Sequence, residues 1–174
     1  MKRIFLIGYM GAGKTTVGKG LANRLKLSFI DLDTYIESRH HKTVREIFEE
    51  KGEDAFRNIE KTMLREVAEF EDVLIATGGG APCFSDNVEF MNSVGTTIYL
   101  KVSVKELAAR LETCKQTRPV LKNRSGESLV AFISESLEKR EPFYSKANVV
   151  FDVDKMLTKS DVDNIINALE HHIV

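Results

Sequence analysis

Apolar positions fall in two rhythms along this chain, and the two alternate from end to end. Short unbroken runs occur at Ile4-Phe5-Leu6-Ile7, Ser28-Phe29-Ile30, Val73-Leu74-Ile75-Ala76, Thr97 to Val102 and Val149 to Val153. Runs this short suit strands, and Ile4 to Ile7 and Val73 to Ala76, apolar throughout, suit strands covered on both faces. Between them, apolar residues recur every three or four positions: Val17, Leu21, Ala22 and Leu25; Phe56, Ile59, Met63, Val67 and Phe70; Leu107 and Leu111; Leu129, Phe132, Ile133 and Leu137; and Val162, Ile165, Ile166 and Leu169. Each set makes the buried stripe of an amphipathic helix. Strand and helix in alternation predict an α/β fold with a five-stranded parallel sheet flanked by helices.

Punctuation sets the element ends. Thr43-Val44-Arg45-Glu46, Asp86-Asn87-Val88-Glu89 and Ser103-Val104-Lys105-Glu106 have the spacing of capping boxes, and Ser160 with Asp163 opens the closing helix. Gly52 and Gly95 read as helix stops, and Pro142 interrupts or kinks the helix just after Arg140. The stretch from Thr34 to Phe70 is too long for one crossover helix and divides into two or three.

The first strand runs directly into Gly8-Tyr9-Met10-Gly11-Ala12-Gly13-Lys14-Thr15, with the spacing G-x-x-x-x-G-K-[ST]. Such a loop aims successive backbone N–H groups at one anion, and the helix behind it adds its positive end. Lys14 can reach β- and γ-phosphates, and the Thr15 hydroxyl can ligate Mg²⁺. The second strand ends in Asp31-Leu32-Asp33, whose carboxylates share a face if the strand continues. Asp33 could equally cap a helix starting at Thr34. The third strand ends in Thr77-Gly78-Gly79-Gly80, which allows close approach by a ligand. It carries no acid, so Mg²⁺ falls to Thr15, substrate phosphates and Asp31 through water. All three segments lie beyond the carboxyl ends of strands, where ligands bind in open α/β sheets.

Two stretches look like a cover and a lid for such a site. Helices within about 33–61 form a cover for a second substrate, with Arg57 and Glu60 three apart and able to pair, although the spacing also suits a solvated Arg57. Residues 113–126, with Lys115, Arg118, Lys122 and Arg124 and little periodicity, suit a lid over polyphosphate.

Composition narrows the class. A length of 174 residues suits one domain. A net charge of −1, from 25 basic and 26 acidic residues, leaves no basic field for nucleic acid. Cys83 and Cys114 are too few for a disulfide framework, and no apolar run approaches membrane-spanning length. The expectation is a cytoplasmic protein with no membrane or nucleic-acid partner, acting as a monomer. His40-His41 and His171-His172 lack a third ligand nearby in sequence and read as exposed polar residues.

Taken together, the phosphate loop, Asp31-Leu32-Asp33, Gly52-Glu53 with Phe56-Arg57 and Glu60, Gly78-Gly79-Gly80, Arg118-Pro119, and Arg140-Glu141-Pro142 with Tyr144 resemble the shikimate kinases, within the nucleoside-monophosphate-kinase-like group. The resemblance runs over nearly the whole length. It implies transfer of the ATP γ-phosphate to the 3-hydroxyl of shikimate, with Mg²⁺, in aromatic amino-acid biosynthesis. It places ATP on Gly11, Ala12, Gly13, Lys14, Thr15 and Thr16, with Arg110 against adenine and Arg118 on the transferred phosphoryl group. Arg110 sits one residue further from Arg118 than the family pattern has it. Asp33 is the implied base, Arg57 and Arg140 hold the shikimate carboxylate, Gly78, Gly79 and Gly80 line the same ligand, and Phe48 and Phe56 are apolar walls, with Glu60 orienting Arg57. Another small-metabolite kinase of this architecture, such as gluconate kinase, and a non-catalytic nucleotide-binding module are the alternatives.

Overall fold

The computed structural model describes residues 2–113, 124–153, 156 and 158–173. The strands are β1 (Arg3–Ile7), β2 (Ser28–Asp31), β3 (Val73–Ala76), β4 (Thr96–Lys101) and β5 (Val149–Asp152), all parallel in the order β2-β3-β1-β4-β5. β1 is central, and its Ile4, Phe5, Leu6 and Ile7 have no exposed surface. That is why its sequence is an unbroken apolar run instead of an alternating one.

Among the described residues seven α-helices join and flank the strands: α1 (Lys14–Leu25), α2 (Leu32–His40), α3 (Val44–Ala68), α4 (Asn87–Val94), α5 (Val104–Thr113), α6 (Gly126–Tyr144) and α7 (Lys159–Ile173). The Thr43 box that opens α3 closes in both directions, from Glu46 N to Thr43 Oγ1 at 3.2 Å and from Thr43 N to Glu46 Oε2 at 2.7 Å. No helix among the described residues is long and apolar enough to cross a membrane.

Four boundary expectations are corrected. Asp31, not Asp33, caps α2, its side chain accepting from Thr34 N, because the chain turns helical at once to bury Leu32 completely. Asp31 and Asp33 therefore do not share a strand face. Gly52 does stop a helix, as expected: its non-helical backbone, at φ 80° and ψ 174°, divides α3 into two helical segments. Asp86 makes no side-chain cap at α4, because its carboxylate is drawn to Arg65 at 2.7 Å and Lys61 at 2.8 Å. The α7 box belongs to Thr158 and Asp161, with Asp161 N donating to Thr158 Oγ1 at 3.2 Å, so Ser160 already lies in the first turn. Pro142 stays within α6, where the helix ends two residues later and little backbone bonding is left to disrupt. The lid expectation falls largely on residues 114–123, which with Arg118 lie outside the described residues.

Candidate active site

Strand register assembles the site's rim. Asp31 pairs with Ala76, Ala76 with Leu6, and Leu6 with Ile98, so the strands end level and their following loops stand side by side. The connection after β1 leads to β2 and the one after β3 to β4, on opposite sides of the sheet. A crevice opens between two such neighbours. It is a cleft of about 390 Å³ lined by Gly11, Gly13, Lys14, Thr15, Thr16, Asp31, Asp33, Gly78, Gly79 and Arg110, with Met10, Thr77 and Leu111. Ala12 is fully buried behind the loop and does not line it.

The loop holds its own shape. Gly13 precedes α1 at φ 92°, a conformation strained for any other residue, and this turns the first helical N–H groups toward the cleft. The Lys14 ammonium donates to Gly8 O at 2.7 Å and Tyr9 O at 3.0 Å, which fixes its charge at the loop. Arg110 braces the loop from α5. Its Nη1 donates to Gly11 O at 3.2 Å and lies within 3.5 Å of Ala12 O, while its Nε donates to Glu106 at 2.9 Å.

The two carboxylates at the end of β2 take different positions. The Thr15 hydroxyl donates to Asp31 Oδ2 at 2.9 Å, and Asp31 Oδ1 accepts from Thr34 N. Asp33, the second residue of α2, lies beside Gly78: a β-carbon there would stand 2.9 Å from Asp33 Oδ1. Burial first, and then the neighbouring Asp31 charge, lift the Asp33 carboxyl above its ordinary range, against the opposing pull of Lys14.

Arg57, Phe48, Phe56, Gly80 and Arg140 do not line the cleft; they form a second cluster that adjoins it through the glycine turn. A β-carbon on Gly79 would stand 3.3 Å from Arg140 Nη1, and one on Gly80 would stand 2.6 Å from Arg57 Nη2. Arg57 is not a solvated helix residue, since its side chain is 16% exposed and its Nη1 donates at 2.8 Å to Glu60, whose side chain is 2% exposed. Burial raises the Glu60 carboxyl, and the Arg57 charge opposes that rise. Phe56 and Phe48 face the Arg57 guanidinium at 5.3 and 5.7 Å.

Three neighbours of this cluster were given no role in it by the sequence reading. The Phe84 ring lies 4.0 Å from the Arg57 guanidinium carbon, closer than either predicted aromatic wall. It sits in a turn, where no periodicity singles out one residue. Tyr9, within the phosphate loop, lies under the Arg140 guanidinium at 5.2 Å. Tyr144, fully buried, donates its hydroxyl to Gly79 O. Its place four residues after Arg140, one turn of the same helix, was the available clue.

Two guanidinium groups beside a buried carboxylate, all reached from one phosphate loop, suit a kinase whose acceptor is a small hydroxylated acid. The family model described as shikimate kinase matches residues 10–170. The chain belongs to the shikimate kinase family. A shikimate kinase from Parabacteroides distasonis is 73% identical over 169 residues, spanning 97% of this chain and 98% of its own. The crystal structure of shikimate kinase from Bacteroides thetaiotaomicron matches this family member with a TM-score of 0.95 at 51% identity, covering 98% of this chain and 97% of that one. Shikimate kinase from Acinetobacter baumannii in complex with shikimate matches with a TM-score of 0.84 at 32% identity, covering 99% and 93%.

Proposed function

We propose that this chain transfers the γ-phosphoryl group of ATP to the 3-hydroxyl of shikimate, giving ADP and 3-phosphoshikimate for aromatic amino-acid biosynthesis. The observation that carries the reading is the Gly78-Gly79-Gly80 turn, which brings Asp33, Arg140 and Arg57 against three successive residues beside the phosphate loop. A proton acceptor and a pair of carboxylate-binding guanidiniums are thereby held at fixed offsets from one another. The Acinetobacter baumannii relative, solved with shikimate, supports the acceptor assignment.

In this reading Arg57 and Arg140 take the acid's carboxylate, and Gly79 and Gly80 supply backbone N–H groups. The 3-hydroxyl is turned toward Asp33. Asp33 accepts its proton as the new O–P bond forms and the bond from the γ-phosphorus to the ADP oxygen breaks. A raised pKa makes Asp33 a better acceptor than an ordinary carboxylate. Lys14 and the loop N–H groups hold the β- and γ-phosphates, and Arg110 steadies the loop beneath them. Arg118 has the transferred-phosphoryl role from the family pattern alone. Phosphoryl transfer asks chiefly for positioning and charge stabilisation, so Lys14 should matter more than the base.

Mg²⁺ fits the oxygen donors at the loop, because the Thr15 hydroxyl and the Asp31 carboxylate stand 2.9 Å apart on one side of the cleft. Thr15 would hold the ion directly and Asp31 through water. When bound, it would neutralise phosphate charge. Among the described residues no three His, Cys, Asp or Glu side chains gather into a metal cage, in keeping with an ion that relies on phosphates and water.

We place the chain in the cytoplasm as a monomeric, single-domain enzyme acting on two small molecules, with the cover at about 33–61 and the lid at about 113–126 as parts of that domain. Light scattering of the purified protein tests the monomer. An ATP-coupled assay with shikimate tests the activity. ADP formation that depends on shikimate is expected, and turnover of gluconate without turnover of shikimate would overturn the assignment.

A further inference from the structure

We infer that Phe84 is a positioning residue for the acid substrate, its ring fixing the plane of the Arg57 guanidinium that receives the carboxylate. The inference rests on the assignment of Arg57 to that carboxylate. A guanidinium donates hydrogen bonds only from its edge, so its orientation decides which donors face a ligand. Glu60 holds one edge at 2.8 Å and Glu53 another at 3.4 Å, but edge contacts alone leave the group free to rock about them. Phe84 supplies the nearest face constraint, its ring centre 4.0 Å from the guanidinium carbon against 5.3 and 5.7 Å for Phe56 and Phe48. An aromatic face attracts a cation, whereas an alkyl side chain of similar bulk only fills space. Arg57 Nε is buried with no partner among the described residues, so the ring also helps decide where an unsatisfied donor points.

The ring is mounted rigidly, as a positioning role requires. Phe84 follows the 3-10 turn Ala81–Cys83 and precedes Ser85, which takes a left-handed φ of 53°. Two residues later the fully buried Asn87 donates Nδ2 to Ala81 O at 2.9 Å and accepts from Arg65 Nη1 at 3.0 Å. The Asp86 carboxylate takes the other Arg65 amine at 2.7 Å. Arg65 lies on α3, two turns beyond Arg57. The ring and the guanidinium it faces are thus anchored to one helix, and their spacing is set independently of any ligand.

Steady-state kinetics on Phe84→Leu, Phe84→Tyr, Arg57→Ala and the Phe84→Leu/Arg57→Ala double variant test the inference. Phe84→Leu should raise the KM for shikimate roughly 3- to 30-fold, the range open to a cation–π contact, with kcat and the KM for ATP changing less than twofold. Phe84→Tyr, which keeps the aromatic face, should restore the wild-type KM. In the Arg57→Ala background Phe84→Leu should add nothing, because the ring acts through Arg57. Wild-type KM in Phe84→Leu, failure of Phe84→Tyr to rescue, or full additivity in the double variant would each overturn the inference while leaving Arg57 in place. An unchanged shikimate KM in Arg57→Ala would instead remove both the Arg57 assignment and this inference. Should Phe84→Leu not fold, Phe84→Met, equally non-aromatic, is read in the same way.

Discussion

A β-carbon on Gly80 would stand 2.6 Å from Arg57 Nη2 and 2.9 Å from Nη1, closer than real β-carbons approach other atoms. The guanidinium has little room to yield, since Glu60 holds its edge and Phe84 its face. Gly80→Ala should therefore displace Arg57 and raise the shikimate KM about tenfold, equivalent to about 1.4 kcal/mol, with less than threefold change in the KM for ATP. Gly78→Ala crowds Asp33 instead, at 2.9 Å from Oδ1, and should appear mainly as a lower kcat. Measuring both variants against both substrates checks the division of labour along the turn. The same kinetic defect in each would show that the turn acts as a unit.

Asp33→Asn should lower kcat roughly 10²-fold and yet make the protein harder to unfold. Burial and Asp31 raise the Asp33 pKa, so the native state binds this proton more tightly than the unfolded chain does. Wild-type stability then falls as pH rises from the ordinary carboxylate value through the raised one, and the deficit is constant above it. Asparagine carries no such penalty. The Tm advantage of Asp33→Asn should be full at pH 7.5 and vanish below the ordinary carboxylate pKa. A Tm no higher than wild type at pH 7.5 would mean that Lys14 and Arg57 already compensate the buried charge.

The strands were legible because a central parallel strand must be apolar on both faces, and β1 and β3 allow no other reading. The phosphate loop was legible because its glycines and Lys14 answer to backbone geometry that few other residues satisfy. The roles of Asp31 and Asp33 were harder to separate, since either carboxylate could cap a helix. Only the burial of Leu32 decides that the helix starts there and that Asp31 is the cap. Asp86 misled for the opposite reason: its capping spacing is correct, but partners on α3, distant in sequence, claim the side chain. Phe84 was invisible because a turn residue gains its meaning from what folds against it. Arg57 was ambiguous on spacing for the same reason, and its burial against Glu60 resolves it.

Lys14→Ala should lower kcat by roughly 10²- to 10³-fold, the scale on which removal of one transition-state donor is felt. The ammonium also ties Gly8 O and Tyr9 O, so the KM for ATP should rise as the loop loosens. Lys14→Arg should not restore activity, because a planar fork cannot reproduce a compact ammonium seated on two carbonyls. Steady-state and single-turnover measurements separate the two effects. A loss under threefold in kcat would count against a catalytic phosphate loop.

Asp31 does two things at once, and a serine can keep one of them. Its Oδ1 caps α2 through Thr34 N, while its Oδ2 accepts from the Thr15 hydroxyl at the assigned Mg²⁺ position. Asp31→Ala should lose both, with about 1 kcal/mol of stability gone with the cap. For a chain of this size that is a fall of roughly 2–4 °C in Tm. Asp31→Ser retains a capping oxygen and should unfold close to wild type. Its half-saturating Mg²⁺ concentration in the ATP-coupled assay should nevertheless rise roughly 10- to 100-fold, as it does when a group supporting a metal's ligands is removed. Wild-type Mg²⁺ dependence in Asp31→Ser would leave Asp31 as a helix cap alone and return the metal to Thr15 and the substrate phosphates.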